Sequence, residues 1–414
     1  MQYIVIGLII FMTVFNLYVS FLNNKQKDQP LPTSVKDVYD DEKYKKWLNY
    51  STANQKLSIF SELTSTVLMI LFLVFGVFRL FENISKELFS NTLGQYLMFL
   101  LLFLVTQTLI NLPFKLIRIF KIEQSFGFNK MTKKLFIKDQ IKGFLLTMIL
   151  GGGIFVFIYY GFTSWAKSPI QFVIILWLFI SVVILIIFYL NTKVFIKIFN
   201  KLTPLEEGAL KEKITALAEK ANFEINACYI MDASKRSTKL NAFFSGFGKT
   251  KSVVLFDTLV DKMTDEEILA VLAHELGHAT YKDTITLLIE QIITIGLFAA
   301  LFGLIMSYDA FFSAFNMSVS HLGFGLILWF ILLSPIDLLI SMMTNKVART
   351  FEYRADRFAA IMTKPKDIKD ALIRLYQENL SNLNPHPLYV ILHYNHPTLA
   401  QRLETIEKGA SHAI

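Results

Sequence analysis

Cysteine is almost absent: Cys228 is the only one in 414 residues, which excludes an intramolecular disulfide and any metal site built from several thiolates. Its place in "NACYIMD" is that of a small buried hydrophobe. Charge is scarce as well. Asp, Glu, Lys and Arg make up 18% of the chain against 54% hydrophobic residues, and the mean hydropathy is +0.47, a balance that excludes an ordinary soluble enzyme and places the chain in a bilayer. The first apolar run, "MQYIVIGLIIFMTVFNLYVSF", has no basic residues ahead of it and no small-residue cleavage site behind it. It reads as a retained span rather than a signal peptide. No internal repeat or low-complexity tract is found.

Long apolar runs are abundant, and Phe alone occurs 39 times. A helix needs about 20 apolar residues to cross the hydrocarbon core, and seven stretches qualify: 3–21, 64–80, 95–114, 143–161, 170–190, 284–306 and 322–343. Gly151, Gly152 and Gly153 interrupt the fourth and Pro335 the seventh, while Gln107, Asn111, Glu290 and Asp337 put polar groups at membrane depth. Such groups either bond between helices or face a wet interior, because an acid facing lipid is costly. Alternating the loops between two sides puts 38 of the 41 Lys and Arg residues on one side and 3 on the other. That asymmetry predicts an outside amino terminus and a cytoplasmic carboxyl terminus. The formal charge of +8 is therefore first a topology signal; anionic headgroups are compatible partners and nucleic acid is not an expected one.

Two long non-membrane stretches lie on the basic side. The first, 191–283, reads as a helix over 205–221, short β-like runs ("ACYIM", "AFFSGF", "SVVLF"), and a helix opening at "TDEEILAVLAHELGHA". Thr264 is a good cap for that helix, with Asp265, Glu266 and Glu267 in the first turn where the dipole favours carboxylates. The second, 344–414, is expected to be mostly helical, its first helix continuing from the seventh span. Division follows at 1–190 (five membrane helices with their loops), 191–283, 284–343 (two membrane helices) and 344–414, the second and fourth pieces making one catalytic domain. The stretch "NNKQKDQPLPTSVKDVYDDEKYKKW" reads as a solvated linker with some helix.

His274, Glu275 and His278 form an HExxH set on the predicted helix. Four residues are about one turn, so the two imidazoles can share one metal while Glu275 stands beside its open position. That arrangement suits a metal-activated water with a carboxylate to take its proton. Two His leave zinc short of a protein ligand. In "RTFEYRADRFAAIM", Glu352 and Asp356 again lie one turn apart, so Glu352 can complete a His/His/Glu site while Asp356 holds a ligand imidazole from behind. Taken alone, such a pair is more often an exposed helix face matched with Arg354 or Arg357.

HELGH, then "EYRAD", then "YNHPTLAQR", together with "EQSFGFNKMT" (123–132) and "KRSTKLNAFFSGFGKTKSVVLFDTLV" (235–260), resemble the membrane zinc metalloproteases of the type I CAAX prenyl endopeptidase class. The likeness covers nearly the whole chain. It implies a mainly α, multi-span membrane protein: seven helices enclosing a water-filled chamber, capped by a zincin-like α+β domain with a small β-sheet. One Zn2+ per chain is implied at the cytoplasmic end, with the metal helix running into the sixth span. By the same resemblance Asn241 and Ala242 sit on a strand edge that holds an extended substrate, and His396 and Arg402 stabilise the oxyanion and support the site. His386 and His393 lie off the motif and read as structural or surface residues. For "EQSFGFNK" no chemistry follows from the residues; it is a family marker read as an interfacial turn.

The implied activity is hydrolysis of peptide bonds in peptide or protein substrates, prenylated C-terminal tails among them. The membrane would be the inner membrane of a bacterium or the endoplasmic reticulum of a eukaryote. A general quality-control zinc protease acting on unprenylated chains, an intramembrane regulatory protease and a catalytically inactive scaffold are the other readings. Seven segments weigh against the first, a motif bounded by charges against the second, and the complete ligand set against the third.

Overall fold

In hydrocarbon a backbone must satisfy its own N–H and C=O groups, so the apolar runs fold as helices. The computed structural model describes residues 1–245 and 252–411, and seven helices among them are long and apolar enough to cross a membrane. They are Gln2–Lys25, Asp41–Val74, Thr92–Ile117, Lys133–Tyr160, Pro169–Leu190, Asp283–Met306 and Leu322–Met362. The second span ends earlier than the apolar run suggested. Gly76 adopts a left-handed φ of 68° and starts a separate helix, Val77–Leu88, so residues 77–80 leave the span.

Neither the glycines nor the proline break their helices. Gly151–Gly153 lie within the continuous Lys133–Tyr160 helix, and the seventh span runs through Pro335 for 41 residues. Pro335 has no N–H to give the carbonyl four residues back, and the Ser334 hydroxyl donates to that carbonyl, Ile331 O, at 2.8 Å. The freed acceptor is thus satisfied within the helix. Glu290 bonds between helices: its Oε1 accepts from the Thr344 hydroxyl at 2.6 Å. Gln107 instead lines a cavity of about 850 Å³ between the third and seventh spans, whose other walls are nearly all hydrocarbon, including Leu101, Phe155, Phe298 and Trp329.

The non-membrane part carries a four-stranded mixed sheet ordered β1 (Leu202–Pro204), β2 (Ala227–Met231), β4 (Ser252–Phe256), β3 (Ala242–Ser245). β2 and β4 are parallel, and β3 is an antiparallel edge strand. Residues 246–251, which include the last two of the expected "AFFSGF" run and belong to the 235–260 stretch, lie outside the described residues. The helix expected over 205–221 is Ala209–Lys220. Helices Asp265–Thr280, Pro365–Asn379 and Leu399–Ser411 pack with the sheet. Their shared core takes in Val35, Val38, Tyr39 and Trp47, so the expected solvated linker is instead packed into the domain. Burying those four apolar side chains outweighs the pull of the charges between them.

Candidate metal centre

The metal helix begins as its sequence dictates. Thr264 Oγ1 accepts from Glu267 N and Glu267 returns a bond to Thr264 N, a reciprocal cap. The helix stops at Thr280, and Lys282 takes a left-handed φ of 58° before the sixth span starts at Asp283. The expectation of a metal helix running into that span is therefore corrected to two helices with a sharp break between them. The break turns Asp283 back toward the site. At Gly277, inside HELGH, an added Cβ would meet Ala355 Cα at 3.0 Å. The absent side chain lets the metal helix approach the seventh-span helix closely enough for Glu352 to reach both imidazoles.

The three ligand side chains converge, each imidazole facing a different oxygen of the Glu352 carboxylate. His274 Nε2 and His278 Nε2 are 3.2 Å apart, Glu352 Oε2 lies 3.4 Å from the first and Glu352 Oε1 3.2 Å from the second. A tetrahedral ion with bonds of about 2.0–2.1 Å sets its ligands about 3.3 Å apart, so the spacing fits such an ion. Glu352 Oε2 is buried without a hydrogen-bond partner, as an atom reserved for a metal would be.

Both imidazoles are oriented from behind. His274 Nδ1 lies 2.9 Å from Asp356 Oδ1. Asp356 is 0% exposed and takes two bonds from Arg402, from Nε at 2.8 Å and Nη2 at 2.5 Å. His278 Nδ1 lies 2.9 Å from Oδ2 of Asp283, itself 2% exposed, and Asp283 pairs with Arg354. Arg354 lies over the Tyr281 ring at 4.3 Å. Asp283 and Arg354 in this role escaped the sequence reading. The only signal was an acid five residues after His278, and at a helix start it reads as a cap. Without a metal, burial alone would lower the His274 pKa, but Asp356 and Glu352 outweigh it and raise it to about 9. Burial pushes the Glu275 carboxyl above the ordinary range.

Glu275 stands on the open side, with the backbone N–H of Phe244 directed at its carboxyl group. That contact joins the acid to the edge strand β3, where Asn241 Oδ1 accepts from Ala242 N at 2.9 Å. His396 has 51% of its side chain exposed, with Nε2 3.3 Å from Glu352 Oε1. Arg402, by contrast, is 5% exposed behind Asp356. The residues singled out from sequence thus converge, with Arg402 on the far side of the ligand shell.

Residues 20–201 match the family model described as CAAX prenyl protease N-terminal, five membrane helices, and residues 204–410 match peptidase family M48. The CAAX prenyl protease 1 of Saccharomyces cerevisiae is 32% identical, over 95% of this chain and 92% of its own length. The homologue from Arabidopsis thaliana is 34% identical (97% and 96% covered), and that from Homo sapiens 30% (98% and 96%). The crystal structure of S. mikatae Ste24p superposes with a TM-score of 0.92 at 32% identity, covering 98% of this chain and 99% of that one. The chain belongs to peptidase family M48, as an integral-membrane metalloprotease of the CAAX prenyl protease type.

Proposed function

We propose that the chain uses one zinc ion, held by His274, His278 and Glu352, to hydrolyse a peptide bond near the carboxyl terminus of prenylated proteins. The observation that carries this is the convergence of two imidazoles and the Glu352 carboxylate, with contacts of 3.2–3.4 Å, and Glu275 beside them. When bound, zinc would supply Lewis acidity toward the attacking water and the scissile carbonyl. Glu275 takes the proton of that water and passes it to the leaving nitrogen; its raised pKa suits both tasks. His396, exposed at the rim, supports the developing oxyanion. Arg402 acts as a positioning residue, locking Asp356 and through it His274. The substrate backbone joins the free edge of β3 at Ala242, displacing the Asn241 side chain from the Ala242 N–H.

The parts 191–283 and 344–414 act as one catalytic domain, which their shared core supports. With 38 of 41 basic residues on its side, that domain faces the cytoplasm and the amino terminus lies outside. A lipidated substrate is supported by the hydrocarbon-lined cavity, whose wall includes Ile295 of the sixth span, about 18 Å along the helix from Asp283. The test pairs elemental analysis of purified protein with cleavage of a farnesylated CAAX peptide and its unprenylated twin, with Glu275→Gln as control. One zinc per chain and cleavage of the farnesylated peptide alone is the expected result. Equal cleavage of both peptides would move the function to general proteolysis, and absence of zinc would remove the mechanism.

A further inference from the structure

The "EQSFGFNK" stretch takes no part in the metal chemistry, yet it is bonded to the chain that leads into β3. Thr238 N donates to Phe128 O and Lys130 N donates to Arg236 O, each at 3.1 Å, making an antiparallel bridge between Asn129 and Ser237. Gly127, with a φ of 86°, makes the turn that presents Phe128 and Asn129. Glu123 anchors the loop from behind: its Oε1 accepts from Tyr50 OH at 2.6 Å and lies 3.3 Å from the Lys239 ammonium. Lys239 in turn stands 4.7 Å over the Phe128 ring. The loop thus fixes segment 236–240 against the domain.

Backbone groups in an extended chain alternate between its two edges. Here the odd-numbered residues face β4: Lys239 O accepts from Thr258 Oγ1, and Asn241 O accepts from Phe256 N. The even-numbered ones form the opposite edge, and they are sealed in order. Arg236 and Thr238 bond the loop. Leu240 N donates to Asn379 Oδ1 at 2.9 Å, and Leu240 O accepts from Asn379 Nδ2 at 3.2 Å. Phe244 N is directed at the Glu275 carboxyl. Between them only Ala242 is left, its N–H covered by the neighbouring Asn241 side chain.

We infer that Asn379, with the 123–130 loop behind it, is the wall that limits how many residues extend past the scissile bond. The inference rests on the proposed docking of substrate at the β3 edge. A chain added antiparallel to β3 runs from Phe244, beside Glu275, toward Leu240, so its carboxyl-terminal side meets Asn379. Four residues of strand are about 14 Å, and three extended residues are about 10 Å. A leaving segment of about three residues therefore fits before the wall, and a longer one must bend away from the edge. The same amide that seals Leu240 keeps that position from pairing with substrate, as capped edges do.

The test is a ratio measured within one preparation, so the folded fraction cancels. Peptides sharing one sequence before the scissile bond release either three or six residues, and kcat/KM is compared. The expected result is a preference for three of about tenfold, narrowed to about twofold in Asn379→Ala, where two hydrogen bonds of the wall are gone. Asn129→Ala, which removes the bond that Asn129 Oδ1 accepts from Met131 N at 2.8 Å and so loosens the loop while leaving Asn379 in place, moves the ratio in the same direction and carries the test if Asn379→Ala loses its metal. An unchanged ratio in both variants at unchanged metal content overturns the wall. So does a length dependence on the amino-terminal side of the scissile bond, which would mean a parallel chain. Peptides N-methylated at each leaving-segment amide in turn separate the two readings. If none of them slows cleavage, docking at the β3 edge is wrong; if one does while the length ratio stays put, only the wall is.

Discussion

Replacing Asp283 by Asn should weaken metal binding while leaving the fold standing. Asp283 receives His278 Nδ1 at 2.9 Å and is 2% exposed, so its charge acts on the imidazole through little solvent. Losing such a partner typically costs 10–100-fold in metal affinity, or about 1.4–2.7 kcal/mol. The stability cost is smaller, because the stranded partner, Arg354, has 40% of its side chain exposed and keeps its hydration. Asp356→Asn should behave differently. Asp356 is fully buried, and Arg402, its partner, is 5% exposed; stranding that guanidinium costs about 3–5 kcal/mol. Competition between protein and a chelator of known affinity gives the zinc Kd, and thermal unfolding of the metal-free protein in detergent gives stability. Unchanged zinc affinity in a folded Asp283→Asn protein would refute the relay from Arg354 through Asp283 to His278. Equal stability losses in the two variants would refute the distinction drawn from exposure.

Three other outcomes follow from the same geometry. With its metal-free pKa raised to about 9, His274 carries a proton below that pH and must lose it to bind metal, so zinc uptake at pH 7.5 should release protons and release fewer above pH 9; a weakly buffered indicator reads this, and pH-independent release counts against it. Gly277→Ala places a Cβ 3.0 Å from Ala355 Cα, and should cost about 1–3 kcal/mol of thermal stability together with tightly held metal, whereas normal metal content would show that the helices can separate at no cost. Ser334→Ala should lower stability by about 1 kcal/mol by leaving Ile331 O unpaired; adding Pro335→Ala restores the backbone donor, so a double variant no more stable than the single one refutes the assigned bond.

The sequence by itself determined the elements that rest on local or periodic physics. Apolar length set the membrane helices, the cap at Thr264 set the start of the metal helix, and the one-turn spacings of His274 with His278 and of Glu352 with Asp356 set which side chains share a face. Misreadings came where a distant partner reversed a local preference. Glycines and a proline that break helices in water are carried in the spans, with Ser334 supplying the bond that Pro335 cannot donate. A charged stretch that reads as solvated linker is pinned through Tyr39 and Trp47 to a core formed by residues hundreds of positions away. Only the tertiary structure decided that Asp283 folds back onto His278, that Arg402 lies behind Asp356, and that "EQSFGFNK" bonds the segment leading into β3. Each of these depends on contacts between segments far apart in the chain, whose pairing no periodicity encodes.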